Sequence, residues 1–427
     1  MSNLWDLSQI QPGRADVVPG DTIPTLFWNA VRQRSDRVWL RQKELGIWKS
    51  WTWMQTAEAV REIAAGLQAL GLQRGQTASI LANTVVEWVL ADLAVLSCGA
   101  VSNGIYPTDA ASQVHYLCED SRTTVLFVED DEQLDKALEV REQLPRLRKI
   151  VVMDMKGLRD FADPGVIDLM ALRELGRVHA QAHPGALEAR VAAVQPQDLA
   201  ILVYTSGTTG RPKGAMHSHA GLVYTVRGYN LIVAQYESDE RIAFLPLCHI
   251  AERIGGAFFA VYTGSVLNFV ERPETVPENV REISPTVFTA VPRVWEKFYS
   301  AVMIALKESG KFQQAVYAWA IGVGQRVAAL VAGRELAGRE PVLGRVDPHL
   351  LAVDDRAHDR VVELAEHERV RFVSDERFPR VDPATQPALD SADWPEDRRR
   401  KTLRSYAMEY ARSMVPTLDA LLGPVLA

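Results

Sequence analysis

Apolar residues between Trp48 and Gly71 return at helical intervals. Val60, Ile63, Ala64, Leu67 and Leu70 fall on one face, Thr52 and Gln55 have capping-box spacing, and Gly71 supplies a stop, so the pattern predicts a helix. Thr77 to Ala82 is a short apolar run that predicts a strand. The stretch from Val85 to Ser97 is apolar nearly all round, which predicts a buried helix that Asn83 could cap. The alternation then repeats: a strand near Ala100 and Val101, a helix begun by Thr108 and Asp109, a strand over Thr123 to Val128, a charged helix, and a strand over Lys149 to Met153. Short apolar strands separated by helices pair in parallel through crossovers, so the expected fold class is α/β with parallel-rich sheets flanked by helices.

Regularity fades after Lys156. Pro164, Pro184 and Pro196 punctuate the chain as far as Gln197, and this part is expected to wander over the surface. Leu199 to Val203 is a buried-strand run. His217, Ser218 and His219 start a helix that passes Tyr224; with no acidic or sulfur partner at ligand spacing, the histidines read as capping or packing residues rather than metal ligands. A strand follows over Arg241 to Pro246. Tyr262 to Ser265 reads as a turn, and Pro285 to Val291 as an apolar strand. Ala315 to Ala332 is the most membrane-like stretch, but Gln325 and Arg326 interrupt it, so it reads as a core helix, with peripheral membrane contact as the alternative.

From Gly333 to Pro395 the chain is dense in Arg, Asp and Glu and broken by prolines, which fits partial disorder apart from a helix around Asp355 to Val370. Leu403, Tyr406, Ala407, Tyr410 and Met414 then form an apolar stripe at helical spacing, a core-facing or partner-binding helix. The expected organisation is therefore a folded region at 1–332, a charged region at 333–395 and an amphipathic helix at 396–427.

Composition narrows the class. A chain of 427 residues, 47% apolar, has room for two or three domains at about 150 residues each. A net charge of -7 argues against a nucleic-acid partner, which demands a basic face. Cys98, Cys118 and Cys248 are too few and too scattered for a disulfide framework or a zinc site, and the first residues lack a signal peptide's basic start and apolar run. Both point to a cytoplasmic protein.

The chemistry concentrates at Tyr204-Thr205-Ser206-Gly207-Thr208-Thr209-Gly210-Arg211-Pro212-Lys213-Gly214. Glycines let the main chain approach a ligand, so that backbone N–H groups converge on one anion while hydroxyls add donors. That is a device for holding phosphate. It is not a Walker A loop, because Lys213 precedes Gly214 and Pro212 precedes the lysine. A bland linker of the same composition would not follow a buried strand or end in Pro-Lys-Gly.

This string resembles the phosphate loop of the adenylate-forming (AMP-binding) superfamily. Two further strings, Leu245-Pro-Leu-Cys-His-Ile-Ala-Glu-Arg253 and Val291-Pro-Arg-Val-Trp-Glu-Lys297, resemble its long-chain fatty-acid–CoA ligase branch. The resemblance covers roughly residues 20 to 330 and implies the N-terminal part of the adenylate-forming fold. It implies ATP, Mg2+ and coenzyme A as co-reactants and a fatty acid as substrate. Ser206, Gly207, Thr208, Thr209, Gly210 and Gly214 would bind the nucleotide phosphates, Lys213 would supply a catalytic positive charge, and Thr205 would assist catalysis and bind the metal. His249 and Arg253 would line the acyl and phosphate side of the pocket; read alone, they are a packed strand-end histidine and a surface charge. By the same resemblance, a long-chain enzyme would sit in the cytoplasm or at the inner face of the membrane. The family's adenine, ribose and C-terminal lysine motifs have no match after Gly333. The alternative is therefore a truncated or rearranged relative that binds nucleotide weakly or serves as an interaction module.

Overall fold

Thr22 caps helix α1 (Ile23–Arg34), which turns Ile23, Leu26, Phe27 and Ala30 into the core. The computed structural model describes residues 18–205, 211–336 and 371–374, and the chain divides into two compact units, Met1–Pro285 and Thr286–Ala427. In the first unit, β1 (Val38–Glu44) and β2 (Ile47–Thr52) form a hairpin ahead of α2 (Trp53–Ala69). The Thr52–Gln55 capping box is present, and Gly71 takes a φ of +82° beyond the helix end, the conformation that a stop residue requires. Trp39 and Trp53 are fully buried and stacked, with ring centroids 4.1 Å apart.

The alternation continues through β3 (Thr77–Leu81), α3 (Val86–Ser97), β4 (Val101–Ile105), α4 (Ala111–Asp120), β5 (Thr123–Val128), α5 (Asp131–Val140) and β6 (Lys149–Val152). Helix α3 is buried along its length except at Glu87, as its all-round apolar sequence predicts. Its expected cap is wrong, however. Val85 occupies the cap position without a side-chain hydrogen bond, and Asn83 instead donates its backbone and side-chain N–H to Glu129 Oε2 at 2.6 and 2.8 Å. Helix α4 likewise starts after Ala110, not at Thr108 or Asp109.

The segment expected to wander is ordered. It holds β7 (Val166–Asp168), α6 (Leu169–Ala182) and α7 (Ala186–Ala193). Helix α6 lies against α2 at backbone distance: a Cβ on Gly66 would meet the Leu172 carbonyl at 2.4 Å, and one on Gly176 would meet the Glu62 carbonyl at 1.8 Å. Buried Glu62 accepts from Arg173 Nε at 2.6 Å and pairs with Arg177 at 3.4 Å, which ties the two helices by charge as well.

Next come β8 (Leu199–Thr205), β9 (Lys213–Ser218) and α8 (His219–Ile232), the last capped by Ser218. The seven-stranded sheet runs β7-β6-β5-β3-β4-β8-β9, parallel throughout except for the antiparallel β8–β9 edge. Strands β3, β4 and β5 are buried at every residue, as expected for a parallel sheet covered on both faces.

Strand β10 (Glu240–Ala243) leads to the short α9 (Ile250–Glu252), a π-helical turn at Arg253–Phe258, and α10 (Phe259–Thr263). Gly264, at a φ of +84°, makes the expected turn into β11 (Val266–Phe269), and α11 (Val276–Ile283) closes the unit. Strand β11 pairs in parallel with both β1 and β10.

In the second unit, β12 (Val287–Ala290) runs into α12 (Pro292–Glu308), whose first turn accepts Pro292 because that position needs no backbone donor. Trp295, half-buried, packs edge-on to Phe288 with ring centroids 5.2 Å apart. Helix α13 (Lys311–Leu336) contains the membrane-like stretch, and its described side chains, as far as Arg326, depart from the core-helix expectation. Phe312, Val316 and Trp319 are exposed, and among its described side chains only Val323 is buried. No helix among the described residues is long and apolar enough to cross a membrane. Strand β13 (Arg371–Ser374), within the charged stretch read as partly disordered, pairs in parallel with β12. The helices expected at Asp355 to Val370 and after Leu403 lie outside the described residues.

Candidate functional site

Strand β8 carries Ala200, Ile201, Leu202 and Val203 through the core and delivers Thr205 to the surface. Strand β9 returns antiparallel beside it, with Thr205 directly opposite Lys213 and Tyr204 opposite Gly214. Directly opposed residues of an antiparallel pair project from the same face. Thr205 and Lys213 are therefore neighbours on one face, and both are exposed. Ser206, Gly207, Thr208, Thr209 and Gly210 lie outside the described residues.

The hairpin alters the expected boundary of the loop. Lys213 and Gly214 belong to a strand, and Gly214 has a packing reason of its own: a Cβ there would lie 3.1 Å from the Tyr204 ring. On that face the Tyr204 hydroxyl donates to Asp120 Oδ2 at 2.6 Å. Burial and the Asp120 carboxylate together hold the phenol well above its ordinary pKa. On the outgoing side, the Tyr116 hydroxyl donates to the Pro212 carbonyl at 2.7 Å, and the Arg211 guanidinium lies over the Tyr116 ring at 5.2 Å. Tyr116 and Asp120 are absent from the residues singled out by motif. The available signal was their i,i+4 spacing on α4, away from the buried positions Val114, Leu117 and Cys118.

The segment from Leu245 to Arg253 is fixed against the sheet and α3. Thr84 Oγ1 donates to the Leu245 carbonyl at 2.7 Å, and a Cβ on Gly104 of β4 would lie 2.6 Å from Cys248 Cα. His249 is exposed at the start of α9, where its Nδ1 accepts from the Ala251 N–H at 3.2 Å, so it is a cap rather than a packed strand-end residue. Arg253 is corrected in both readings. It is 0% exposed, donates from Nη2 and Nε to the two Asp92 oxygens at 2.5 and 3.2 Å, and lies 4.9 Å over the Trp88 ring. A guanidinium taken out of water needs a carboxylate in this fork geometry, so Arg253 anchors the segment and does not line an open surface.

His219 of α8 is a packing residue, one of the two roles expected of it. His219 is buried, its Nδ1 accepts from the Ile23 N–H at 3.3 Å, and burial pushes its pKa down to about 4 against the opposing pull of Asp198. Among the described residues no group of three or more His, Cys, Asp or Glu could hold a metal ion. Cys98, Cys118 and Cys248 are unpaired and buried, with thiols pushed up to about 12 by burial, which makes them poor nucleophiles.

Residues 27–339 match the family described as AMP-binding enzyme. The chain belongs to the AMP-binding enzyme family. Similar AMP-binding proteins include the long-chain-fatty-acid–CoA ligase ACSBG2 of Xenopus laevis, 31% identical over 317 residues that make up 72% of this chain and 42% of that protein. The long-chain-fatty-acid–CoA ligase FadD15 of Mycobacterium bovis is 32% identical over 294 residues, 68% of this chain and 47% of the relative. Among solved structures, a long-chain-fatty-acid–CoA ligase from Archaeoglobus fulgidus superposes with a TM-score of 0.57 at 19% identity, over 69% of this chain and 55% of its own. The anthranilate CoA ligase AuaEII, solved with anthranoyl-AMP, gives 0.55 at 24% identity over 66% and 52%. At such identities the superpositions show the AMP-binding fold alone. The chain spans less than half the length of these two curated relatives.

Proposed function

We propose that this chain carries the nucleotide-gripping part of a long-chain fatty-acid–CoA ligase. The observation that carries the reading is the opposition of Thr205 and Lys213, both exposed, at the neck of a loop rich in hydroxyls and glycines. In the first half-reaction a fatty-acid carboxylate attacks the α-phosphorus of ATP; the new acyl–phosphate bond forms as the bond to pyrophosphate breaks. An anion must approach a polyanion, so fixed donors and a cation where charge collects on the leaving group lower the barrier.

In this reading the hydroxyls of Ser206, Thr208 and Thr209 and the amides of Gly207 and Gly210 hold the β- and γ-phosphates, while Lys213 places a positive charge beside them. Magnesium would arrive with the triphosphate, and the Thr205 hydroxyl is the donor on the same face. Bound there, the ion would neutralise phosphate charge. The coenzyme A thiol then attacks the acyl carbonyl, the thioester bond forming as the bond to AMP breaks, and this completes the ligase reaction, with His249 at the acyl side. A protein drawing a long-chain acid from lipid would work in the cytoplasm, in peripheral contact with the inner face of the membrane.

The test is release of pyrophosphate from ATP by the purified full chain, with palmitate or oleate supplied. The reading predicts release that depends on the fatty acid and is lost in Lys213→Ala. ATP binding without acid-dependent release would limit the chain to nucleotide binding, and folded protein that does neither would contradict the reading.

A further inference from the structure

The phosphate loop has two stems, and one helix touches both of them. Asp120, the last residue of α4, accepts from the Tyr204 hydroxyl on the incoming stem at 2.6 Å. One turn earlier on the same helix, the Tyr116 hydroxyl donates to the Pro212 carbonyl on the outgoing stem at 2.7 Å, and the Tyr116 ring lies under the Arg211 guanidinium. Both contacts bridge long sequence separations, and each meets the hairpin within a residue of the opposed Thr205–Lys213 pair. Gly214 completes the fit, since any side chain there would press on the Tyr204 ring.

These placements are not what α4 would choose for itself. A carboxylate in the last turn of a helix faces the negative end of the helix dipole, an unfavourable position unless something offsets it. The Tyr204 hydroxyl does so, with a short hydrogen bond to the charged oxygen. Tyr116 is only partly buried against the core beneath α4, whose fully buried face is Val114, Leu117 and Cys118, and its hydroxyl reaches past that core to the stem.

We propose that Tyr116 and Asp120 are positioning residues: from one face of α4 they fasten the two stems of the loop, and so hold Thr205 and Lys213 in register for a triphosphate. The proposal rests on the nucleotide reading of the loop, and its ligand is the polyphosphate of a nucleoside triphosphate. Neither residue touches the ligand. Each acts through the backbone or ring of a stem residue.

The experiment is ATP titration of the full chain and of Tyr116→Phe, Asp120→Ala and Asp120→Asn, with thermal melting of each. Tyr116→Phe keeps the ring under Arg211 and removes only the donor. One lost hydrogen bond at a stem should weaken ATP binding roughly three- to tenfold. The melting temperature should stay within about 2 °C, because the substitutions leave both tyrosine rings packed against the core and remove only a polar group. Asp120→Ala should match that loss, and Asp120→Asn, which keeps an acceptor for Tyr204, should restore most of it. Wild-type affinity in both Tyr116→Phe and Asp120→Ala overturns the clamp while leaving the nucleotide reading intact. Lowered melting temperatures at unchanged affinity would do the same, by making the contacts structural only. No ATP binding by the wild-type chain overturns the reading and the clamp together.

Discussion

Arg253 and His219 show how burial decides the role of a side chain whose type alone leaves several open. The Arg253 guanidinium is fully enclosed with Asp92, so removing the carboxylate strands a charge. Asp92→Ala is expected to cost about 3–5 kcal/mol in denaturant unfolding, and an apolar pair such as Asp92→Leu with Arg253→Met to recover much of it. A small loss in Asp92→Ala would mean that water reaches the pair. His219 gives a pH prediction. Its folded pKa is depressed from 6.5 to about 4, so the unfolded chain binds the proton more readily; the contribution to stability is full above about 6.5 and declines as pH falls towards about 4. Denaturation midpoints between pH 7.5 and 4.5 should fall more steeply for the wild type than for His219→Asn. Parallel curves would contradict the assignment. The burial of Arg253 was not visible in the sequence, where it sits in a motif and reads as a ligand contact. Its partner Asp92 lies far away in the chain, and no local pattern pairs them.

Among the elements, those with a strong internal period were readable. Helix α2 announced itself through its capping box, its apolar face and Gly71. Strands β3 and β5 did so through short apolar runs between helices. Strand β9 was not readable, because it is an edge strand whose residues are half-buried or exposed; it has no apolar face to alternate, and its pairing comes from β8. Helix α6 was hidden among prolines, and its packing rests on glycines rather than a wide apolar stripe. That packing predicts the outcome of a small change. Gly176→Ala would drive a methyl into the Glu62 carbonyl, 1.8 Å away, and should destabilise the fold by about 1–3 kcal/mol or more. Alanine on the exposed loop at Gly185 meets no neighbour, but its φ of +79° favours glycine, so a cost of about 1 kcal/mol is expected there. Chemical denaturation of the two variants tests the contrast. Equal losses would show that α2 and α6 can move apart freely.

At the scale of the whole molecule, the loop is the point on which fold and function meet. The parallel sheet delivers β8 to the surface, β9 returns beside it, and α4 braces the hairpin from below. The donor-rich string is recognised in the sequence because its residues are consecutive. Its framing is not, because Thr205 and Lys213 become neighbours only through strand pairing, and Tyr116 and Asp120 come from a distant helix. The chain covers less than half the length of the two curated ligases it resembles, and in the proposed reading its own residues bear most directly on the grip of the triphosphate. Calorimetric titration of ATP into the full chain and into Lys213→Ala tests that step. The account predicts binding by the wild type, weakened roughly tenfold or more by the substitution at an unchanged melting temperature, as expected for loss of a charge-assisted contact. Equal affinity of the two proteins, or absence of binding by the folded wild type, would contradict it.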